Sequence, residues 1–172
     1  MIDKIFTDYK RVDLSPKTEA KSYYKYLDSS ARPAFKSLRE LITKWYLSFD
    51  ADSEKKNELK SEFCSTDDRK HFSAFFELYL YTLFNNLGYK VTVEPTMPNG
   101  TRPDFLLTDS DGSQMLLEAT AVYPDELFGG AKMREKRMKD EINTRIRNRD
   151  FWLNLHLIDP PNDNPPIAKI CR

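Results

Sequence analysis

Over the first half of the chain, apolar residues recur every three or four positions; in the second half, short stretches alternate instead, a pattern that predicts helices followed by strands. Ser15-Pro16, with Ser as N-cap and Pro at the first helical position, is a start signal leading into a helix over Lys17 to Leu27. Arg32-Pro33 restarts a helix in which Phe35, Leu38, Leu41, Ile42, Trp45 and Tyr46 fall on one face and form core. A shorter, more polar helix runs from Ser53 to Phe63. Asp67 or Asp68 caps the most regular helix, Arg69 to Leu87, which stops at Gly88 and carries Phe72, Phe76, Tyr79, Leu80, Leu83 and Leu87 as its apolar face. Glu77 sits in the middle of this apolar run, where the plain alternative is a solvent-facing polar edge.

Three strands follow: Tyr89 to Glu94, closed by Pro95; Pro103 to Thr108; and Gln114 to Val122. The segment Thr96 to Thr101, with Pro98, Asn99 and Gly100, is a loop. A basic helix beginning after Gly129-Gly130 has a thin apolar stripe of Met138, Ile142 and Ile146, and Phe151 to Ile158 is a fourth strand. A long crossover helix between the third and fourth strands makes that pair parallel and the sheet mixed. After the Pro-rich segment Asp159 to Pro166, Ile167 to Arg172 has the pattern of an element just starting, so the natural chain is expected to continue.

With 172 residues, 40% of them hydrophobic, the chain can bury one real core. Its 27 Lys+Arg balance 27 Asp+Glu, so bulk charge selects no partner, but residues 131–149 hold eight basic side chains against three acidic ones. Cys64 and Cys171 are far apart and in no metal-ligand spacing, which argues against a zinc finger or a disulfide-stapled secreted domain and fits a reducing cytoplasm. No apolar segment reaches the length of a signal peptide or a membrane span, so no membrane partner is expected. His71 and His156 are too few for chemistry built on a histidine cluster.

The candidate chemistry lies in Arg102-Pro103-Asp104-Phe105-Leu106-Leu107 and Leu116-Leu117-Glu118-Ala119-Thr120. An ionised carboxylate inside the apolar run Met115 to Val122 is costly to desolvate without a cation or hydrogen-bond donors. Loop length decides whether the two acids meet. A three-residue connection, Ser110-Asp111-Gly112 with Gly112 left-handed, sets Asp104 opposite Glu118 and, if the strand extends that far, Arg102 opposite Thr120; a two-residue Asp111-Gly112 turn puts the acids on opposite faces. In the first register Phe105, Leu107, Met115, Leu117, Ala119 and Ala121 make an apolar core face.

These residues resemble the PD-(D/E)xK nuclease superfamily, with Pro103-Asp104 as its PD, Glu118-Ala119-Thr120 in its (D/E)xK place and Glu77 as the glutamate of the preceding helix. The resemblance covers about Arg69 to Ile158. It implies a restriction-endonuclease-like αβββαβ core of mixed α/β class, preceded by an N-terminal helical segment: residues 1–66 helical, 67–158 the nuclease core, and 159–172 a Pro-rich linker with the start of a further element. It also implies cleavage of nucleic acid, DNA ahead of RNA, in defence or repair. Asp104, Glu118 and the Ala119 carbonyl would hold Mg²⁺ (or Mn²⁺), with Glu77 on a second ion or orienting the ligands of the first. Lys132, Arg134, Lys136, Arg137 and Lys139 of the basic helix would contact phosphates. A homodimer is compatible with this picture.

The sequence departs from the family at Thr120, which stands where the motif lysine belongs, and a neutral hydroxyl does not replace a cation. Arg102 is the expected substitute and Lys132 the second. Three alternatives stand beside the enzyme: a catalytically degenerate nucleic-acid-binding or assembly domain that keeps the fold, a protein-interaction module using the first 66 residues, and a plain helical protein in which Glu118 pairs with an arginine. The basic helix has its own alternative as an ordinary solvated surface.

Overall fold

The structure, a computed structural model, describes residues 4–121 and 129–146. Five helices and a three-stranded antiparallel sheet make up the described residues, giving a mixed α+β protein. In chain order these are α1 (Tyr23–Ser29), α2 (Pro33–Ser48), α3 (Ser53–Phe63), α4 (Asp68–Asn86), β1 (Lys90–Val93), β2 (Phe105–Thr108), β3 (Gln114–Leu117) and α5 (Gly129–Ile146). The expected fourth strand, Phe151 to Ile158, and the Pro-rich segment lie outside the described residues. The chain divides into two compact units, residues 1–14 with 23–123 and residues 15–22 with 124–172.

In the first unit α4 is the hub, packing against α1, α2, α3 and β1. Its ends are fixed by sequence. The Asp67 carboxylate accepts from the Arg69 N–H at 3.0 Å and caps the N-terminus. At the other end Gly88, with φ +95°, donates to Asn85 O at 3.1 Å and Tyr89 donates to Phe84 O at 3.1 Å. That hydrogen-bond pair is a Schellman motif, and its usual apolar contact is present as the Phe84–Tyr89 ring pair, 5.8 Å between centroids. The face that α4 buries differs from the expected one. His71, Ala74, Leu78 and Tyr81 are buried, whereas Phe76, Tyr79 and Leu87 are exposed. The helix is apolar almost all round, so periodicity alone does not choose the stripe; packing against α3 and β1 does.

α3 begins at Asp52, whose carboxylate accepts from the Lys55 N–H at 2.8 Å, and buries Leu59 and Phe63. α2 starts at Pro33 as expected and buries Ile42 and Tyr46, while Leu41 is exposed. Ser15-Pro16 starts no helix: the first helix opens at Tyr23, where the Asp68 carboxylate takes up the Tyr23 N–H at 2.8 Å. Phe49, Phe63, Leu78, Phe105 and Leu107 lie at the centre of the core.

The hairpin has the three-residue loop. Asp109 donates to Ser113 O at 2.9 Å, Gly112 donates to Asp109 O at 3.0 Å, and Gly112 has φ +85°. The register follows as Phe105↔Leu117, Leu106↔Leu116 and Leu107↔Met115, with β1 on the other side of β2 in the register Val93↔Phe105. Phe105 and Leu107 are fully buried, but Met115 is 48% exposed and Ala121 is exposed too. The expected apolar face is therefore core only at Phe105 and Leu107 of β2, with Leu117 of β3 packed against them. The reason is coverage: α4 packs on β1, two strands away from β3.

In the second unit, the Asp140 carboxylate of α5 accepts from the Glu19 N–H at 2.6 Å and the Ala20 N–H at 3.0 Å. Met138 and Ile142 are buried and Ile146 is 44% exposed.

Candidate functional site

Asp104 immediately precedes β2, and the Pro103 before it is buried. The Glu94 N–H donates to the Asp104 carbonyl at 2.9 Å, which extends the β1–β2 ladder by one pair. Extending the β2–β3 register by one pair sets Asp104 opposite Glu118. β3 itself stops at Leu117, because there the ladder gives way to a side chain: Asp104 Oδ2 accepts from the Ala119 N–H at 2.6 Å. A carboxylate in this role replaces a backbone acceptor with a charged one, which roughly doubles the strength of the bond. Asp104 Oδ1 and the exposed Glu118 carboxylate make no hydrogen bond or ion pair among the described residues.

Behind this strand end lies a buried cation that the sequence reading missed. Lys55 Nζ is 2.6 Å from Glu94 Oε1 and 3.1 Å from Glu77 Oε1, with the Lys55 and Glu77 side chains only 13% and 14% exposed. Asp52 positions the lysine by capping the N-terminus of α3 and bonding the Lys55 amide. A lysine in the first turn of a helix opposes the helix dipole, so this charge stands where local electrostatics disfavours it and the two glutamates must compensate it. Burial works against the ammonium, but the Glu94 hydrogen bond and the Glu77 charge outweigh it and hold Lys55 above the usual lysine range. Burial raises the Glu77 carboxyl; the Lys55 charge opposes that rise, and the nearby Asp104 and Glu94 carboxylates reinforce it. Glu77 Oε1 is within ion-pair distance of Lys55 yet makes no well-directed hydrogen bond.

Glu94 reaches Lys55 through an uncommon backbone. Its φ is +43°, in the left-handed region that a non-glycine residue seldom occupies. This twist at the end of β1 breaks the strand's alternation, and Pro95 follows immediately. Lys55, Glu94 and Arg102 line one small cavity of about 170 Å³, together with Asp52, Val93 and Thr96.

The structure therefore brings together Asp104, Glu77, Lys55 and Glu94 around the strand end, with Glu118 and Ala119 following β3. Glu77 does not face solvent; it lies among Ala74, Leu78 and Tyr81 on the buried face of α4. Arg102 and Thr120 are both exposed and lie outside the strands, so the pair expected from the register does not form as a ladder pair. Lys132, Arg134, Lys136, Arg137 and Lys139 all lie on α5, in the other unit. Lys139 is committed to Glu135 at 2.6 Å. One sequence signal points to Lys55: it falls four and eight residues before Leu59 and Phe63, on the stripe that α3 buries.

As to a metal, no group of three His, Cys, Asp or Glu side chains able to hold an ion occurs among the described residues. What the strand end offers is less: one carboxylate oxygen of Asp104, the Glu118 carboxylate and the Ala119 carbonyl. These are hard oxygen donors, and a hexahydrated cation such as Mg²⁺ is commonly held by one or two carboxylates while keeping several waters. The residues fit that mode of binding and not a closed protein cage. Among the described residues no helix is long and apolar enough to cross a membrane. No protein-family model, no curated protein and no solved structure matches this chain.

Proposed function

We propose that this chain is a Mg²⁺-dependent nuclease-type domain that cleaves phosphodiester bonds in nucleic acid, with its site at the Asp104–Glu118 strand end. The observation that carries the reading is the three-residue hairpin register, which sets Asp104 opposite Glu118, together with the Asp104–Ala119 bond that fixes the first carboxylate. Asp104, Glu118 and the Ala119 carbonyl would hold the ion, which supplies Lewis acidity and a more acidic bound water. The Ala119 amide occupies Oδ2 of Asp104 and leaves Oδ1 for this task.

Lys55 takes the part of the cation that Thr120 cannot supply. Its raised pKa keeps it protonated at neutral pH, so it serves to offset negative charge near the strand end and not to accept a proton. Glu77 and Glu94 hold it there, and Glu94 is one backbone hydrogen bond from Asp104. In this reading Glu77 orients Lys55 and is a positioning residue.

The test is cleavage of plasmid and single-stranded DNA and of RNA with Mg²⁺ or Mn²⁺. Asp104→Ala and Glu118→Ala should each lower the rate roughly hundredfold or more, as loss of an electrostatic catalytic group does. Cleavage that persists in both variants overturns the site. A second reading, a nucleic-acid-binding or assembly domain without turnover, is favoured by Thr120 standing exposed at the motif lysine's position. It predicts salt-sensitive binding with no metal-dependent cleavage.

A further inference from the structure

Away from the strand end, the N-terminal segment and α2 line an open cavity of about 520 Å³, within the size range of small-molecule sites. Five basic side chains line it, Lys4, Arg11, Lys36, Arg39 and Lys44, against two acidic ones, Asp8 and Glu40. The acidic residues neutralise little inside: Lys4–Asp8 and Lys36–Glu40 are exposed pairs one helical turn apart in sequence, of the kind that contributes little. Lys44 makes no ion pair among the described residues.

The innermost cation is Arg39, only 8% exposed. It donates through Nη1 to the Leu27 and Ser30 carbonyls, at 2.6 and 2.8 Å, at the C-terminal end of α1. Among the described residues its Nε and Nη2 have no hydrogen-bond partner and no carboxylate contacts it, although it lines the cavity. Arg11, beside it, is already committed to Asp28 at 2.8 Å. Burial, and next the Arg11 charge, depress the Arg39 pKa more than the nearby Asp28, Tyr9 and Glu40 raise it. Among the described residues this buried guanidinium has an open edge, a like charge for a neighbour and no carboxylate in direct contact, an arrangement that suits an anion. The apolar residues on the wall are Ile5 and Phe6.

We propose that this cavity binds a small phosphorylated molecule of nucleotide size, its phosphate on the open edge of Arg39 with Lys36 and Lys44, and its apolar part against Phe6. Arg offers the planar donor fork that suits a phosphate, and the rim lysines add charge without fixed geometry. The site shares no residue with the strand-end cluster and stands or falls apart from it.

Calorimetric titration of ADP into the full chain, in EDTA and at low ionic strength, tests it without involving any metal. Saturable one-to-one binding is expected. Lys44→Glu, an exposed change that leaves the core untouched, should weaken it roughly tenfold, and Arg39→Lys should weaken it by at least as much. Lys90→Glu, the same charge change on β1, should leave it unaltered. Absence of saturable binding, binding indifferent to Lys44→Glu, or inorganic phosphate held as tightly as ADP would each overturn the proposal.

Discussion

Lys55 Nζ and Glu94 Oε1 meet at 2.6 Å, joining the first turn of α3 to the end of β1, and Glu77 of α4 closes the same cluster at 3.1 Å. Removing the lysine leaves two carboxylates facing each other near Asp104 with no cation between them. Lys55→Met should therefore lower stability by roughly 3 kcal/mol, as expected when one partner of a buried ion pair is lost. Adding Glu77→Leu should recover most of that loss, since an apolar replacement needs no partner. Urea midpoints check both. A Lys55→Met variant as stable as the parent means that the three charges do not act as a unit.

The backbone at Glu94 reverses the usual ranking of glycine and alanine. At φ +43° an alanine keeps the strain and loses the carboxylate, whereas a glycine loses only the carboxylate. Glu94→Gly should be more stable than Glu94→Ala by about 1 kcal/mol. Thermal melts of the two variants decide it, and an alanine variant equal to or better than the glycine variant contradicts the left-handed assignment.

Gly112, at φ +85°, closes the hairpin loop with open space around the position a Cβ would take. Gly112→Ala should cost about 1–2 kcal/mol through backbone conformation alone, with no clash to relieve. Gly112→Asn, which tolerates this conformation better, should lie between the two. Equal stability of the alanine variant and the parent would argue against the three-residue loop.

His71 gives the fold a dependence on acid. Its ring is buried and its Nδ1 is 2.6 Å from the Phe63 carbonyl, to which it donates. Burial depresses its pKa, more than the Phe63 bond and the Asp68 charge raise it. A histidine depressed in the folded state contributes stability that is fully present above its unfolded pKa, near 6.5, and is lost as the pH falls through and below that value. Melting temperature should therefore fall between pH 7.5 and pH 5.5, with a shallower fall in His71→Gln. Identical slopes in the two proteins would remove His71 from the account.

Local rules in the sequence carried a good part of this architecture. α3 runs from Ser53 to Phe63 as its pattern predicts, and α4 stops at Gly88 as expected. The hairpin register could be derived because glycine position and loop length are local quantities. The Lys55 cluster could not, because its members come from α3, α4 and the end of β1, and only packing brings them together. α4 shows the same limit at the level of a helix: with apolar residues on nearly every side, its sequence does not say which stripe the neighbours cover. Ser15-Pro16 carries a sound start signal and opens no helix, since Asp68 provides the effective N-terminal contact at Tyr23 instead.

The three-residue loop at the hairpin also constrains how this chain can change in length. Adding or deleting a single residue between Asp109 and Ser113 would turn every β3 side chain over, sending Leu117 outward and Glu118 toward the core side. Two-residue changes would preserve the facing. Natural relatives that keep the strand-end carboxylates are thus expected to differ in this turn by even steps only, so a parity count of the turn distinguishes those that keep the site from those that have abandoned it.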